Sequence, residues 1–101
     1  MAGLDVVLNK GRWETLSNEL KVAVEIQHLK EAGKIPYFSA IAKEFESEMS
    51  PSTVHTALDR LVDLGTVSAN WTKAGSKWVR EFYIAGESKR FINKIISEVY
   101  E

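Results

Sequence analysis

The chain contains no cysteine among its 101 residues. Disulfide bonds, thiolate nucleophiles and cysteine-based zinc sites are therefore excluded, and the sequence is compatible with a reducing compartment. No apolar run approaches the roughly 18 residues of a membrane span, and the N-terminus lacks a basic stretch followed by an apolar one. We therefore expect a cytoplasmic protein.

The chain also has no excess of either charge, because it contains 13 lysines and arginines and 14 acidic residues, for a net charge of −1. Nucleic-acid-binding domains often carry a basic surplus, so this balance by itself argues against that function. The charges are nevertheless unevenly distributed. Residues 50–80 carry four bases and two acids, whereas residues 43–49 carry one base and three acids. A local positive surface is therefore compatible with the sequence.

Residue groupings that carry catalysis or metal binding are scarce. His28 and His55 have no partner at metal-ligand spacing, so no metal site is predicted. Glu44, Glu46 and Glu48 lie two residues apart near an expected turn, which scatters their carboxylates, and no nucleophile or base accompanies them. Phosphate-binding glycine loops and hydrolase nucleophile elbows are absent as well. We therefore predict a non-enzyme without a cofactor.

Residues 1–101 are predicted to form a single domain, because the chain shows no repeat, linker or low-complexity segment. Its hydrophobic content of 45% is sufficient for one core. Residues 13–32 are predicted to form a first helix, with Ser17 or Thr15 as a cap. A short helix over 39–45 follows.

The residues from Ser50 to Leu64 form the most clearly marked element. Ser50 is a favourable helix cap, Pro51 suits the first helical position, and Gly65 suits the left-handed residue that ends a helix. The apolar side, at helical spacing, comprises Val54, Ala57, Leu58, Leu61, Val62 and Leu64. We predict that Leu58 and Leu61 belong to the core.

Two alternating runs, over residues 66–72 and 78–84, surround a loop over 73–77 and predict a β-hairpin. Trp71 and Trp78 flank this loop, and we expect them to stack across the strands in a structural role. Residues 35–37 contain a proline and are compatible only with a brief edge strand.

Residues 88–100 are predicted to form the last helix, whose apolar side comprises Phe91, Ile92, Ile95, Ile96 and Val99. These exceed what one helix usually buries on a small core, and soluble proteins avoid large exposed apolar patches. We therefore expect a homodimer that uses this helix and the N-terminal segment.

The element order predicts an α+β, mostly α fold. It is a winged helix-turn-helix with a three-helix core, a hairpin wing and an additional C-terminal helix. The segments IAKEF, MSPSTVHTALDRLVDLGTV and REFYI, within about residues 35–87, resemble winged helix-turn-helix transcriptional regulators of the MarR and PadR type.

The resemblance implies a double-stranded DNA-binding transcriptional regulator. Its recognition helix, about residues 51–64, would enter the major groove. Its wing, about residues 73–77, would lie on the backbone, and its terminal helices would form a dimer. The DNA-binding residues that we predict are Ser52, Thr53, His55, Thr56, Arg60, Lys73, Lys77 and Arg80.

Several of these residues admit another interpretation. Arg60 would contact phosphate or pair within its helix with Asp59, Asp63 or Thr56. The wing cations, Lys73, Lys77 and Arg80, would contact phosphate or remain ordinary surface charges. Two further functions stay open at this point. One is a winged-helix protein-interaction module without DNA binding. The other is a binder of single-stranded nucleic acid that uses Trp71 and Trp78 as exposed stacking platforms.

Overall fold

The structure, a computed structural model, describes residues 8–100. It contains, in order, α1 (Lys10–Glu14), α2 (Asn18–Glu31), α3 (Phe38–Glu44), α4 (Pro51–Asp63), β1 (Val67–Ala74), β2 (Lys77–Ile84) and α5 (Lys89–Val99). A 3₁₀ turn at Gly86–Ser88 precedes α5. The predicted winged helix-turn-helix is confirmed. Within residues 8–100, no helix is long and apolar enough to cross a membrane.

The predicted first helix over residues 13–32 is in fact two helices. Ser17 caps α2, and its Oγ accepts a hydrogen bond from the Leu20 backbone N–H at 3.2 Å. Thr15 instead ends α1, where its N–H donates to the Arg12 carbonyl at 3.2 Å. Helical periodicity continues across the break because Trp13 and Leu16 also face the core.

The boundaries of α4 follow from local chemistry, as predicted. Ser50 Oγ accepts from the Thr53 N–H at 3.2 Å, and Pro51 occupies the first turn. At the other end Gly65 has a φ of 78°. The Gly65 N–H donates to the Val62 carbonyl and the Thr66 N–H to the Leu61 carbonyl, both at 3.0 Å. This paired arrangement is the Schellman motif, which satisfies the last carbonyls of a helix.

The apolar side of α4 faces the core between α2, α3 and β1. Leu58 and Leu61 are buried there, which confirms the prediction for both. Leu64 differs from the expectation and is 76% exposed. It is the last residue before the chain turns at Gly65, and no element within residues 8–100 covers it.

The hairpin of β1 and β2 is anchored to the helices at its open end. Val67, Phe82 and Ile84 are buried against the helices. The Phe82 N–H donates to the Pro36 carbonyl at 2.8 Å. The brief edge strand expected at residues 35–37 is a single bridge from Tyr37 to Glu81.

The α5 helix buries three of its five apolar residues. Ile92, Ile95 and Val99 are buried, and Ile96 is half-buried against the core. Phe91 remains 58% exposed. Most of the apolar side of α5 is thus buried within a single chain. Residues 1–7 of the N-terminal segment, which was also expected to contribute to the dimer interface, lie outside the described range.

A buried carboxyl group lies where the end of α5 packs on α2. Oε1 of Glu25 lies 3.2 Å from Nδ1 of His28, and the Tyr100 hydroxyl donates to the same oxygen at 3.4 Å. The rings of His28 and Tyr100 stack with centroids 4.6 Å apart. Burial raises the pKa of the Glu25 carboxyl above its ordinary value, and the contacts with His28 oppose this effect without cancelling it.

The stability difference between the wild-type protein and Glu25→Gln is expected to depend on pH. A carboxyl group whose pKa is raised by folding makes its full contribution to stability only below its unfolded-state pKa. The wild-type free energy of unfolding should therefore fall, relative to that of Glu25→Gln, as pH rises from 4.5 through the higher folded-state pKa. Urea melts of both proteins over this range measure the difference. A difference that stays flat or grows with pH would contradict the prediction.

Candidate nucleic-acid interface

Most of the predicted DNA-binding residues on the polar face of α4 are exposed to solvent. Ser52, His55 and Thr56 are exposed, whereas Thr53 is half-buried. Their hydroxyl groups already have local partners. Ser50 Oγ lies 2.9 Å from Thr53 Oγ1 and 3.1 Å from Ser52 Oγ. Thr56 Oγ1 donates to the Ser52 carbonyl at 3.0 Å, which leaves its oxygen lone pairs and its methyl group available to a ligand.

His55 lies one turn along this face. Its Nδ1 is 3.3 Å from Oδ2 of Asp59, and its ring meets the ring of Phe38 edge-on at 6.0 Å. Both members of the His55–Asp59 pair are largely exposed. The pair therefore holds the imidazole at the surface of α4, facing the start of α3.

Arg60 has a partner that the sequence analysis did not anticipate. Its guanidinium group donates to Oε2 of Glu19, in α2, at 3.1 Å. It does not pair with Asp59, Asp63 or Thr56, so the alternative of a pair within its own helix is wrong. The reason is spatial, because the packing of α4 on α2 brings an acid within reach of Arg60. A contact between Arg60 and a phosphate group would have to displace Glu19.

The tip of the hairpin is tighter than predicted. Ala74 pairs with Lys77, so the loop consists of Gly75 and Ser76 only. Gly75 has a φ of 66°, the value required at the first central position of a two-residue turn of type II′. The expected five-residue loop over 73–77 is therefore wrong, and Lys73 and Lys77 belong to the strands.

The strand register divides the three predicted wing cations between two faces. Trp71 pairs with Arg80 and Lys73 pairs with Trp78, so these four side chains lie on one side of the hairpin, which we call the wing face. Lys77 is one position further along and points to the opposite side. The structure thus brings Lys73 and Arg80 together and separates them from Lys77.

The expected structural role of the two tryptophans of the hairpin is wrong. Trp71 is 69% exposed and Trp78 is 64% exposed. They occupy the same side of the hairpin as buried Phe82 and Ile84, but nearer the tip. Alternation along a strand indicates which residues share a side. It does not indicate how far the core extends along that side. Here the hairpin projects beyond the helices.

A cleft of about 330 Å³ separates the wing face from α4. We call it the wing cleft, and the residues that line it include Tyr37, Phe38, His55, Trp71, Trp78 and Arg80. Tyr37 and Phe38 are not among the site residues predicted from the sequence. No sequence signal marks them, because the cleft forms only when the hairpin folds back beside α3 and α4.

The acidic turn between α3 and α4 is attached to the rest of the protein by Glu48. Its carboxylate accepts hydrogen bonds from Trp13 Nε1 and from the Lys21 ammonium group, both at 3.0 Å. Partial burial acts to raise the pKa of Glu48, but the Lys21 and Trp13 hydrogen bonds outweigh it and the pKa is lowered. Glu48 therefore serves to hold the turn in place. Within residues 8–100, no group of three or more histidine or acidic side chains is placed to hold a metal ion.

Comparison with known proteins identifies similar folds only among solved structures. No protein-family model matches the chain, and no curated protein matches its sequence. A PadR family transcription regulator from hypervirulent Clostridium difficile has a TM-score of 0.59 at 17% identity, over 76% of this chain and 83% of that regulator. Pex from Synechococcus sp. has a TM-score of 0.55 at 20% identity, over 82% of this chain and 81% of Pex. The chain therefore has the winged-helix fold of these structures, and its predicted resemblance to PadR-type proteins is confirmed at the level of the fold.

Proposed function

We propose that this protein is a cytoplasmic, non-enzymatic transcription regulator that binds double-stranded DNA. The observation that carries the proposal is the position of two surfaces beside one cleft. His55 of α4 and the cation-bearing wing face border the wing cleft together. Ser52, Thr53 and Thr56 line a separate pocket between α4 and α2. A duplex lying on α4 would place its phosphate backbone within reach of the wing, and phosphate contacts of this kind position a recognition helix.

The proposed contacts divide into base readout and backbone binding. Ser52, Thr53, His55 and Thr56 face the major groove and contact base edges. Lys73, Lys77 and Arg80 bind phosphate groups, Lys73 and Arg80 from the wing face and Lys77 from the opposite side of the tip. Arg60 contributes to phosphate binding after it releases Glu19.

The most direct test of this function is the selection of bound sequences from random duplex DNA. Enrichment of an inverted repeat would establish sequence-specific binding and a two-fold symmetric complex at once. If the wild-type protein binds no duplex even at low salt, where phosphate attraction is strongest, the proposal fails.

Removal of a wing lysine is expected to weaken binding to all duplexes alike. Each phosphate contact releases condensed counterions, so Lys73→Ala or Lys77→Ala should make the log–log dependence of affinity on salt shallower by about one unit. Salt titrations on specific and scrambled duplexes provide the measurement. Lys94→Ala, which removes the same charge from an exposed position in α5, is the matched control. A slope that is lowered equally by Lys94→Ala would contradict a wing contact.

The proposed homodimer would place two α4 helices about one DNA turn apart, roughly 34–36 Å. An apolar groove of about 580 Å³, with Leu20, Leu64 and Phe91 among its lining residues, supports an interface on this side of α5. Leu64 and Phe91 are the exposed apolar residues here. The partner protomer would cover them.

Phe91→Asp is expected to convert the dimer into a folded monomer. Ile95 is buried within the protomer, so a charge there would unfold the chain and would not test assembly. Phe91 is exposed, so a charge there destabilises only the interface. Sedimentation of the wild-type protein and of Phe91→Asp measures the change. Asn93→Asp adds the same charge at another exposed position of α5 and is the control. A wild-type monomer, or an unchanged Phe91→Asp dimer, would contradict this assignment.

A protein-interaction module remains the second candidate function, and the exposed indole rings favour it. Tryptophan is enriched among the residues that dominate protein–protein binding. Failure of duplex binding at low salt, together with a folded protein, would favour this alternative.

A further inference from the structure

The two indole rings of the wing face lie mostly outside the core. Trp71 and Trp78 are both more than half exposed, in contrast to Trp13, which is buried and hydrogen-bonded to Glu48. On the hairpin they are diagonal neighbours, because Trp71 pairs with Arg80 and Trp78 with Lys73. Diagonal cross-strand positions are close enough for large side chains to act on one ligand.

Positive charge alternates with these rings. Lys73 Nζ lies 5.9 Å from the centroid of the Trp78 ring, and the Arg80 guanidinium lies 5.3 Å from that of Phe82. The acidic residue at the wing cleft is Asp59, whose carboxylate faces His55 at 3.3 Å. Glu81 is on the opposite side of the hairpin, where Lys30 binds it at 3.0 Å. The wing face therefore offers flat apolar rings with cations and suits an anionic ligand that contains rings.

The far side of the wing cleft is also aromatic. Phe38 and His55 line it and contact each other edge-on, opposite the indole rings. A flat ring that enters the cleft can thus meet aromatic surfaces from both the hairpin and the helices. Cations beside aromatic rings are the combination with which proteins hold nucleic-acid strands whose bases are accessible.

We propose that the wing cleft holds an unpaired nucleobase of the DNA bound by α4, stacked on Trp71 and Trp78. This inference rests on the proposed function. The base must be unpaired because the faces of bases within a regular duplex are covered by their neighbours. Lys73 and Arg80 bind the phosphates on either side of the base. The occupant comes from the same DNA because His55 and Asp59 of α4 border the cleft.

The proposal predicts a preference for DNA with a local defect. Three DNAs are compared at fixed salt: an intact duplex, the same duplex with a bulge of unpaired thymines, and oligothymidylate. The wild-type protein should bind the bulged duplex about tenfold more tightly than the intact one, and the tryptophan fluorescence should be quenched. A tenfold ratio lies within the stacking free energy of a single base.

The variants Trp71→Ala and Trp78→Ala should each reduce the preference for the bulged duplex over the intact one. The double variant should abolish this preference while binding to the intact duplex persists. Trp71→Phe keeps an aromatic ring and should retain part of the preference. Asn70→Ala removes an exposed side chain from the opposite side of β1 and should leave it unchanged. The substituted tryptophans are exposed, and thermal melts verify that the variants fold.

The outcomes separate the inference from the proposed function. Equal wild-type affinity for intact and bulged duplexes, or a preference that survives in the double variant, overturns the inference and leaves duplex binding intact. Binding to oligothymidylate alone, lost in the double variant, refutes duplex binding by α4 and overturns the inference with it. Absence of binding to all three DNAs overturns both.

Discussion

Leu58→Ala is expected to lower the free energy of unfolding by about 2–5 kcal/mol. Leu58 is 2% exposed and lies on the apolar side of α4, against the rest of the core. Truncation removes buried apolar area and leaves a cavity that the surrounding helices fill only in part. Leu61, which is buried to a similar degree, should behave in the same way. Denaturant melts provide the measurement.

The same helix supplies a matched control for this experiment. In the Phe91→Asp background, where the proposed interface is absent, Leu64→Ala makes the same chemical change at a position that is 76% exposed, so its cost should stay within about 0.5 kcal/mol. A large effect at Leu64 together with a small one at Leu58 would mean that α4 faces the opposite way. That result would also remove the basis for assigning its polar face to DNA.

Thr56→Val is expected to change the preferred base at one position of the DNA site by about 1–3 kcal/mol. The hydroxyl of Thr56 uses its proton on the Ser52 carbonyl, so its oxygen is left to accept from a base amino group. Valine keeps the shape of threonine and removes that acceptor. Thr53 offers a less specific test, because its hydroxyl group contacts the Ser50 cap at 2.9 Å.

The salt dependence distinguishes this effect from backbone binding. Thr56 carries no charge, so the log–log salt slope of Thr56→Val should equal that of the wild-type protein, in contrast to Lys73→Ala. Competition between the selected site and its single-base variants measures the change in preference. Uniform weakening on every sequence would contradict a base contact by Thr56, and so would no change on any of them.

The fold was predictable to the extent that its signals act over short stretches of chain. The start of α4 depends on Ser50 and Pro51, and its end depends on Gly65, all of which act within one helical turn. Alternation over residues 66–72 and 78–84 likewise predicted the hairpin of β1 and β2. The break between α1 and α2 was missed because the periodicity of apolar residues persists across it, although Ser17 was recognised as a possible cap.

The candidate site was less predictable, because its properties depend on residues far apart in sequence. Arg60 pairs with Glu19, 41 residues away, instead of the acids in its own helix. The wing cleft joins Phe38 to Trp78 only through the packing of the hairpin beside α3 and α4. The five-residue loop failed for a different reason, because Gly75 allows a two-residue turn where composition suggested a longer one.

The sequence by itself therefore determined the helix-turn-helix and hairpin order, the ends of α4 and the burial of Leu58 and Leu61. Caps, turn residues and apolar periodicity specify these features locally. Only the tertiary structure decided that Trp71 and Trp78 are exposed, that Lys73 and Arg80 share a face without Lys77, and that Glu25 is buried. Burial depends on where the core ends, and ion pairing depends on which elements meet in space. Periodicity along the chain determines neither of these.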